Sequence, residues 1–122
     1  MTAFHDPDAA LAKIERDIEM AQERAARAVR ARQEIDQVRG TASSRRGEVT
    51  VQVDATGVLA SLRLTDDALD LGPDRLAELI QDTVRAASRD AAQQALRVAD
   101  AEFGEGSQYT AHLRTELDAR TR

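Results

Sequence analysis

The sequence predicts an α+β fold in which two long helices flank a small antiparallel sheet of about three strands. Three observations carry that prediction. Residues 8–39 and 74–102 hold apolar side chains at three- and four-residue steps with no interior glycine or proline, the spacing that lines one face of an α-helix. Between them, residues 48–54 and 58–64 alternate apolar with polar side chains, the period of a strand with one wet face. Glycine and proline fall only at the joins, at Pro7, Gly40, Gly47, Gly57, Gly72-Pro73, Gly104 and Gly106, where turns and helix ends use them.

The first helix starts at Asp6-Pro7-Asp8, since Asp6 caps the free amides and proline suits the first helical position. Its apolar positions run Leu11, Ile14, Ile18, Ala21, Ala25, Ala28, then Arg32 and Ile35, a coiled-coil seam with one cation in it. At ~1.5 Å per residue the helix reaches about 48 Å before stopping at Gly40. Thr41 to Arg45 is a candidate strand ended by Arg46-Gly47. Glu48 to Asp54 is β-branched at alternate positions, and Val58, Ala60, Leu62 and Leu64 repeat the pattern after Asp54-Ala55-Thr56-Gly57, so these two segments form a hairpin. Thr65-Asp66-Asp67 caps a short turn through Leu69. The second long helix opens at Pro73 and carries Leu76, Ile80, Val84, Ala87, Ala91, Ala95 and Val98 to about Glu102. Residues 1–106 read as one domain, and 107–122 as a polar tail that is either a short helix on a partner or disordered.

A chain of 122 residues with 2% aromatics and no cysteine has one thin core of alanine, leucine, valine and isoleucine and no disulfide framework. A seven-residue strand spans about 23 Å, half the length of either helix. The sheet therefore leaves Leu11, Ile14, Ile18, Ala21, Ala25 and Ala28 wet in a single copy. Each isoleucine so exposed forgoes roughly 1.5–3 kcal/mol of burial, and a homodimer closing the seam across a two-fold axis is the expected remedy. Pairing of the first helix with the second helix of its own chain is the alternative.

The net charge of −5 conceals a block structure, because residues 24–46 carry seven basic and two acidic side chains while 1–23 and 47–82 are acidic. The block, Arg24, Arg27, Arg30, Arg32, Arg39, Arg45 and Arg46, is the candidate phosphate-binding surface, since guanidinium is always charged and binds phosphate in a fork. At about 100° per residue the helical arginines wrap the helix rather than stripe it. A solvated helix with local Glu-Arg pairs is the competing reading. The block contains no aromatic, so base stacking is excluded and any nucleic acid held there is duplex, gripped by its backbone. On the seam, Arg32 either marks the point where the helix leaves its partner or pairs with an acid of the other subunit.

Val38-Arg39-Gly40-Thr41-Ala42, Gly47 to Val53, Gly57-Val58-Leu59, Leu62-Arg63-Leu64, and Leu76-Ala77-Glu78-Leu79-Ile80 with Ala86-Ala87 resemble, in order and spacing, the YbaB/EbfC family of bacterial nucleoid-associated proteins. The resemblance spans about residues 8–103. It implies a small cytoplasmic, nucleoid-associated homodimer shaped like tweezers that binds double-stranded DNA without a fixed sequence, for chromosome organisation or transcriptional regulation. Sixteen of the seventeen basic residues are arginine, the bias of a GC-rich genome such as an actinobacterial one. The chain equally resembles YbaB-like proteins linked to type VII secretion, which implies a protein-binding accessory or stabilising factor instead. It departs from the family in its longer Asp54–Gly57 reversal, in Ser43-Ser44-Arg45-Arg46 where glycines are usual, and in lacking a methionine- and glycine-rich tail.

Nothing in the residues suggests an enzyme. His5 and His112 share no ligand spacing, cysteine is absent, and no metal or other cofactor is expected. Gly104-Glu105-Gly106 follows a helix instead of opening one, and Asp66, Asp67, Asp70 and Asp74 lack the ligand alternation of a calcium loop. No apolar run approaches the ~20 residues that span a bilayer and no secretory signal order is present, so the expected compartment is the cytoplasm.

Overall fold

A computed structural model describes residues 6–104 and 107–120. Its elements run α1 (Pro7–Asp36), β1 (Arg39–Ser43), β2 (Val49–Asp54), β3 (Leu59–Leu64), α2 (Asp66–Leu69), α3 (Pro73–Phe103) and α4 (Gln108–Arg120). The α+β class, the two long helices and the three-stranded antiparallel sheet, ordered β1-β2-β3, agree with the sequence. Asp6 caps α1, its carboxylate accepting from the amides of Asp8 at 3.1 Å and Ala9 at 3.2 Å.

The exit of α1 corrects the reading that carried it to Gly40. The helix ends at Asp36, where Gln37 and Val38 donate to the carbonyls of Glu34 and Ile35, each at 3.1 Å. The chain then straightens into β1, two residues ahead of the strand expected at 41–45. Pairing with β2, Gly40 opposite Val53 and Ala42 opposite Val51, outweighs a further helical turn. Gly40 is therefore no helix stop. It is the point where strand meets helix, for a Cβ there would lie 2.5 Å from the Ala91 amide nitrogen and closer still to the Ala87 carbonyl oxygen.

The core lies between sheet and α3. Val49, Val51 and Val53 point inward from β2 onto Ala87 and Ala91, with Leu76, Leu79, Ile80 and Val84 around them. The clamp has a polar rim: the Asp90 carboxylate accepts from the Thr41 amide at 2.9 Å, and Gln94 donates to the Arg39 carbonyl at 2.8 Å. These side chains occupy backbone groups along β1 that an edge strand leaves open. No such cover reaches β3. Leu62 and Leu64 stand opposite Val51 and Val49, yet Leu59, Leu62 and Leu64 remain 48%, 40% and 41% exposed.

At the β2–β3 turn the Asp54 carboxylate accepts from the Thr56 hydroxyl at 2.7 Å, the Thr56 amide at 2.9 Å and the Val58 amide at 3.0 Å, while Gly57 takes φ +86°. The Thr56 hydroxyl first, and the Val58 amide next, hold the Asp54 carboxyl below its ordinary 3.8. A carboxyl depressed by folding stabilises fully above its unfolded value and loses that contribution as pH falls through the folded one. The urea midpoint is thus expected to decline below about pH 4, and less steeply in Asp54→Asn, whose amide does not titrate. Equal declines refute the assignment.

Within the tail, Gln108–Arg120 form a helix that packs on the chain's own α3. Ser107 caps α4, accepting from the Thr110 amide at 3.1 Å, and the buried Thr110 hydroxyl donates to the Gly104 carbonyl at 3.2 Å. Leu113 and Leu117 then reach Ala92, Ala95, Leu96 and Ile35 in a second apolar cluster. No helix of the described residues is long and apolar enough to cross a membrane.

Candidate nucleic-acid interface

The end of α1 packs on α3, with Ala31 buried and Arg30 facing Glu102 at 3.6 Å. From Arg30 back to Pro7 the helix leaves the body as a free rod of 24 residues, about 36 Å long. Arg24, Arg27, Arg30 and Arg32 all lie exposed near its base. Arg24, Arg27 and Arg30 fan across about 120° of helix surface, and Arg32 lies beyond this arc. One duplex backbone running along the rod meets the first three. Arg27 approaches the exposed Glu23 at 3.6 Å, a pair that contributes only about 0–1 kcal/mol, too little to keep its guanidinium from phosphate, whereas Arg30 approaches Glu102, whose side chain is 16% exposed.

The structure separates the remaining three arginines from this block. The Arg39 guanidinium turns back on the end of α1 and donates to the Asp36 carbonyl at 3.1 Å and the Val38 carbonyl at 2.6 Å, where a cation suits the negative end of the helix dipole. Arg45 and Arg46 sit in the β1–β2 turn beside the start of α3, lining a cavity of about 520 Å³ with Arg75, Glu48, Glu78, Asp82, Leu71 and Leu79. Glu78 and Glu102 are 24 residues apart on α3, so about 36 Å divides this turn from Arg30.

The turn is also electrically different from the rod. Three carboxylates face three guanidiniums there, and the Glu48 carboxyl is held below its ordinary value by its own backbone amide first, then by the Ser44 hydroxyl and by Arg46. Arg75 enters this cluster unforeseen, because its place beside Arg45 and Arg46 depends on how α3 lies on the sheet. Arg97 was likewise missed; it lines a cleft of about 410 Å³ at the α1–α3 junction with Glu34, Gln37, Gln94 and Val98. Sequence spacing alone offered no signal for either, since the acids of their segments offset them.

The apolar seam of the rod is open in the single chain. Leu11, Ile14 and Ile18 are 55%, 54% and 51% exposed, and Ala21, Ala25 and Ala28 are exposed beside them. Own-chain pairing claims only the last turns, where Ile35 joins the α4 cluster. Arg32, one turn before Ile35, is still outside the body. His5 lies outside the described residues, His112 faces Glu116 at 3.8 Å on exposed α4, and no group of three potential metal ligands occurs among the described residues.

The model of the YbaB/EbfC DNA-binding family matches residues 11–107. That span takes in α1 from Leu11, the sheet and α3, and stops short of α4. No curated protein and no solved structure matches the chain.

Proposed function

The chain belongs to the YbaB/EbfC DNA-binding family, and from that premise we propose that it is a cytoplasmic, nucleoid-associated homodimer that holds duplex DNA by phosphate contacts, in chromosome organisation or transcriptional regulation. The observation that carries the reading is the exposed arginine block on a projecting rod, a stretch of sequence that contains no aromatic residue. Such a surface attracts phosphate and reads no bases. Two copies carry the block twice, and a local positive patch of this kind attracts phosphate even though the net charge is −5 per chain. Arg27 and Arg30, which point away from the apolar seam, lead the contact.

Binding to a mixed-sequence duplex at two salt concentrations tests this. Affinity is expected to fall steeply with salt, and Arg27→Gln/Arg30→Gln to weaken binding about tenfold and flatten the salt dependence. No retardation even at low salt overturns the reading. The uncovered Leu59, Leu62 and Leu64 face favours a second one, a protein-binding accessory factor of the kind associated with type VII secretion. In that case a protein copurifies and duplex does not bind.

A further inference from the structure

We propose that Glu102, in the last turn of α3, aims Arg30 at phosphate: its carboxylate holds one edge of the guanidinium and leaves the terminal edge open to the DNA backbone. The inference rests on the duplex-binding reading and adds to it a positioning residue outside the arginine block.

Three observations select Glu102 for this role. The first is which atoms meet. Arg30 faces the Glu102 carboxylate with Nε, at 3.6 Å from Oε2. A guanidinium carries five N–H donors in a planar fork, so the edge formed by its two terminal nitrogens is left to grip a phosphate bidentately. That edge has no ion-pair partner among the described residues. Arg27 is arranged the other way. Its terminal Nη2 faces Glu23, so this edge meets phosphate only by letting Glu23 go.

The second observation is burial. The Glu102 side chain is 16% exposed and that of Arg30 55%. A carboxylate stripped of most of its water loses far more than an exposed one when its cation departs. Arg30 therefore stays on Glu102 as phosphate arrives and serves both anions, one at each edge. Its long side chain is ordered before DNA comes, which removes part of the ordering cost of binding. Glu23, at 67% exposure, exerts no such hold on Arg27.

The third observation is position. α3 ends at Phe103, and its last turn carries no basic side chain. An acid in that turn lies against the negative end of the helix dipole, so helix stability does not account for Glu102. A cation delivered from α1 does. Arg30 is the rod residue nearest the body, next to the buried Ala31, and its guanidinium takes its place from α3 as well as from the rod. Arg24 and Arg32 have no ion-pair partner among the described residues.

Fluorescence anisotropy of the full chain on a mixed-sequence duplex at low salt tests this, because the sign of the effect separates aiming from simple charge. Deleting a carboxylate beside a phosphate strengthens binding if repulsion is all it does. Glu102→Gln is instead expected to weaken binding about fivefold, since a neutral amide no longer holds the guanidinium. In an Arg30→Gln background the same change is expected to add no further loss. Arg30→Lys, whose ammonium is a point charge without a second edge, is expected to lose as much affinity as Arg30→Gln. Stronger binding by Glu102→Gln makes the residue a plain repeller of DNA and overturns the proposal. Equal losses from Glu102→Gln with and without Arg30 assign it to the α1–α3 joint and also overturn it. So does full affinity in Arg30→Lys, a measurement that does not depend on how the joint tolerates Glu102→Gln. In these three cases the unaltered chain still binds duplex and the duplex-binding reading stands; no binding by the unaltered chain at low salt overturns both.

Discussion

Gly40→Ala is expected to destabilise the fold by about 3 kcal/mol or more, a large share of the ~5–15 kcal/mol that holds a small domain together. The φ of Gly40 is not positive, so alanine fits the backbone conformation and the cost is purely steric. The added methyl would meet the Ala87 carbonyl oxygen, the Ala91 nitrogen at 2.5 Å and the Ala91 Cβ at 2.6 Å. Two of the three belong to helix backbone and cannot rotate aside. β1 must then retreat from α3, stretching the Thr41–Asp90 and Gln94–Arg39 hydrogen bonds, now 2.9 and 2.8 Å, and opening the valine layer beneath. Gly47→Ala is the control: φ is +77° with nothing within 4 Å, so strain alone acts, at about 1 kcal/mol. Urea denaturation of both variants separates the two causes. Equal midpoints for the two would show that β1 does not rest on α3 as described.

Leu117→Asp has the next largest expected effect, and it is local. Leu117 is 4% exposed in the cluster that binds α4 to α3, and a carboxylate there loses its water without gaining a partner in that apolar contact. Thirteen residues are too few for a helix to persist unsupported in water, so α4 leaves α3 and melts. Amide exchange should then lose protection over 108–120 while Val51 and Val53 in β2 retain theirs. Protection lost throughout the chain would show that α4 belongs to the main cooperative unit, and protection kept at 108–120 would show that Leu117 does not hold it.

Much of the fold was legible in the residues because its signals are local. The strict alternation of Val49, Val51 and Val53, the Asp6-Pro7 start, the Asp54–Gly57 reversal and the Gly72-Pro73 start each specify a conformation through neighbours a few positions away. Gly40 misled because a glycine after a helical run reads as a helix end, while its real reason, the close approach of Ala87 and Ala91, lies about fifty residues downstream. A short helix in 107–122 was one of the readings the sequence allowed, but whether Leu113 and Leu117 meet a partner, water or their own α3 is decided by where the alanine face of α3 lies. The arginine block was legible as a cluster along the chain and not in space. Arg39 folds back on a helix end, Arg45 and Arg46 ride the turn to the far end of α3, and only the rod keeps its share together.

By itself the sequence determined the kind and order of the elements, the family, and the existence of an apolar seam, since each of these is written in short-range spacing of side chains. Tertiary structure alone decided where β1 touches α3, that α4 closes on its own chain, which arginines share a surface, and that the seam stays uncovered within one copy. Those outcomes turn on packing between residues far apart in the chain, where the fit of surfaces selects the partner and no local pattern encodes the choice.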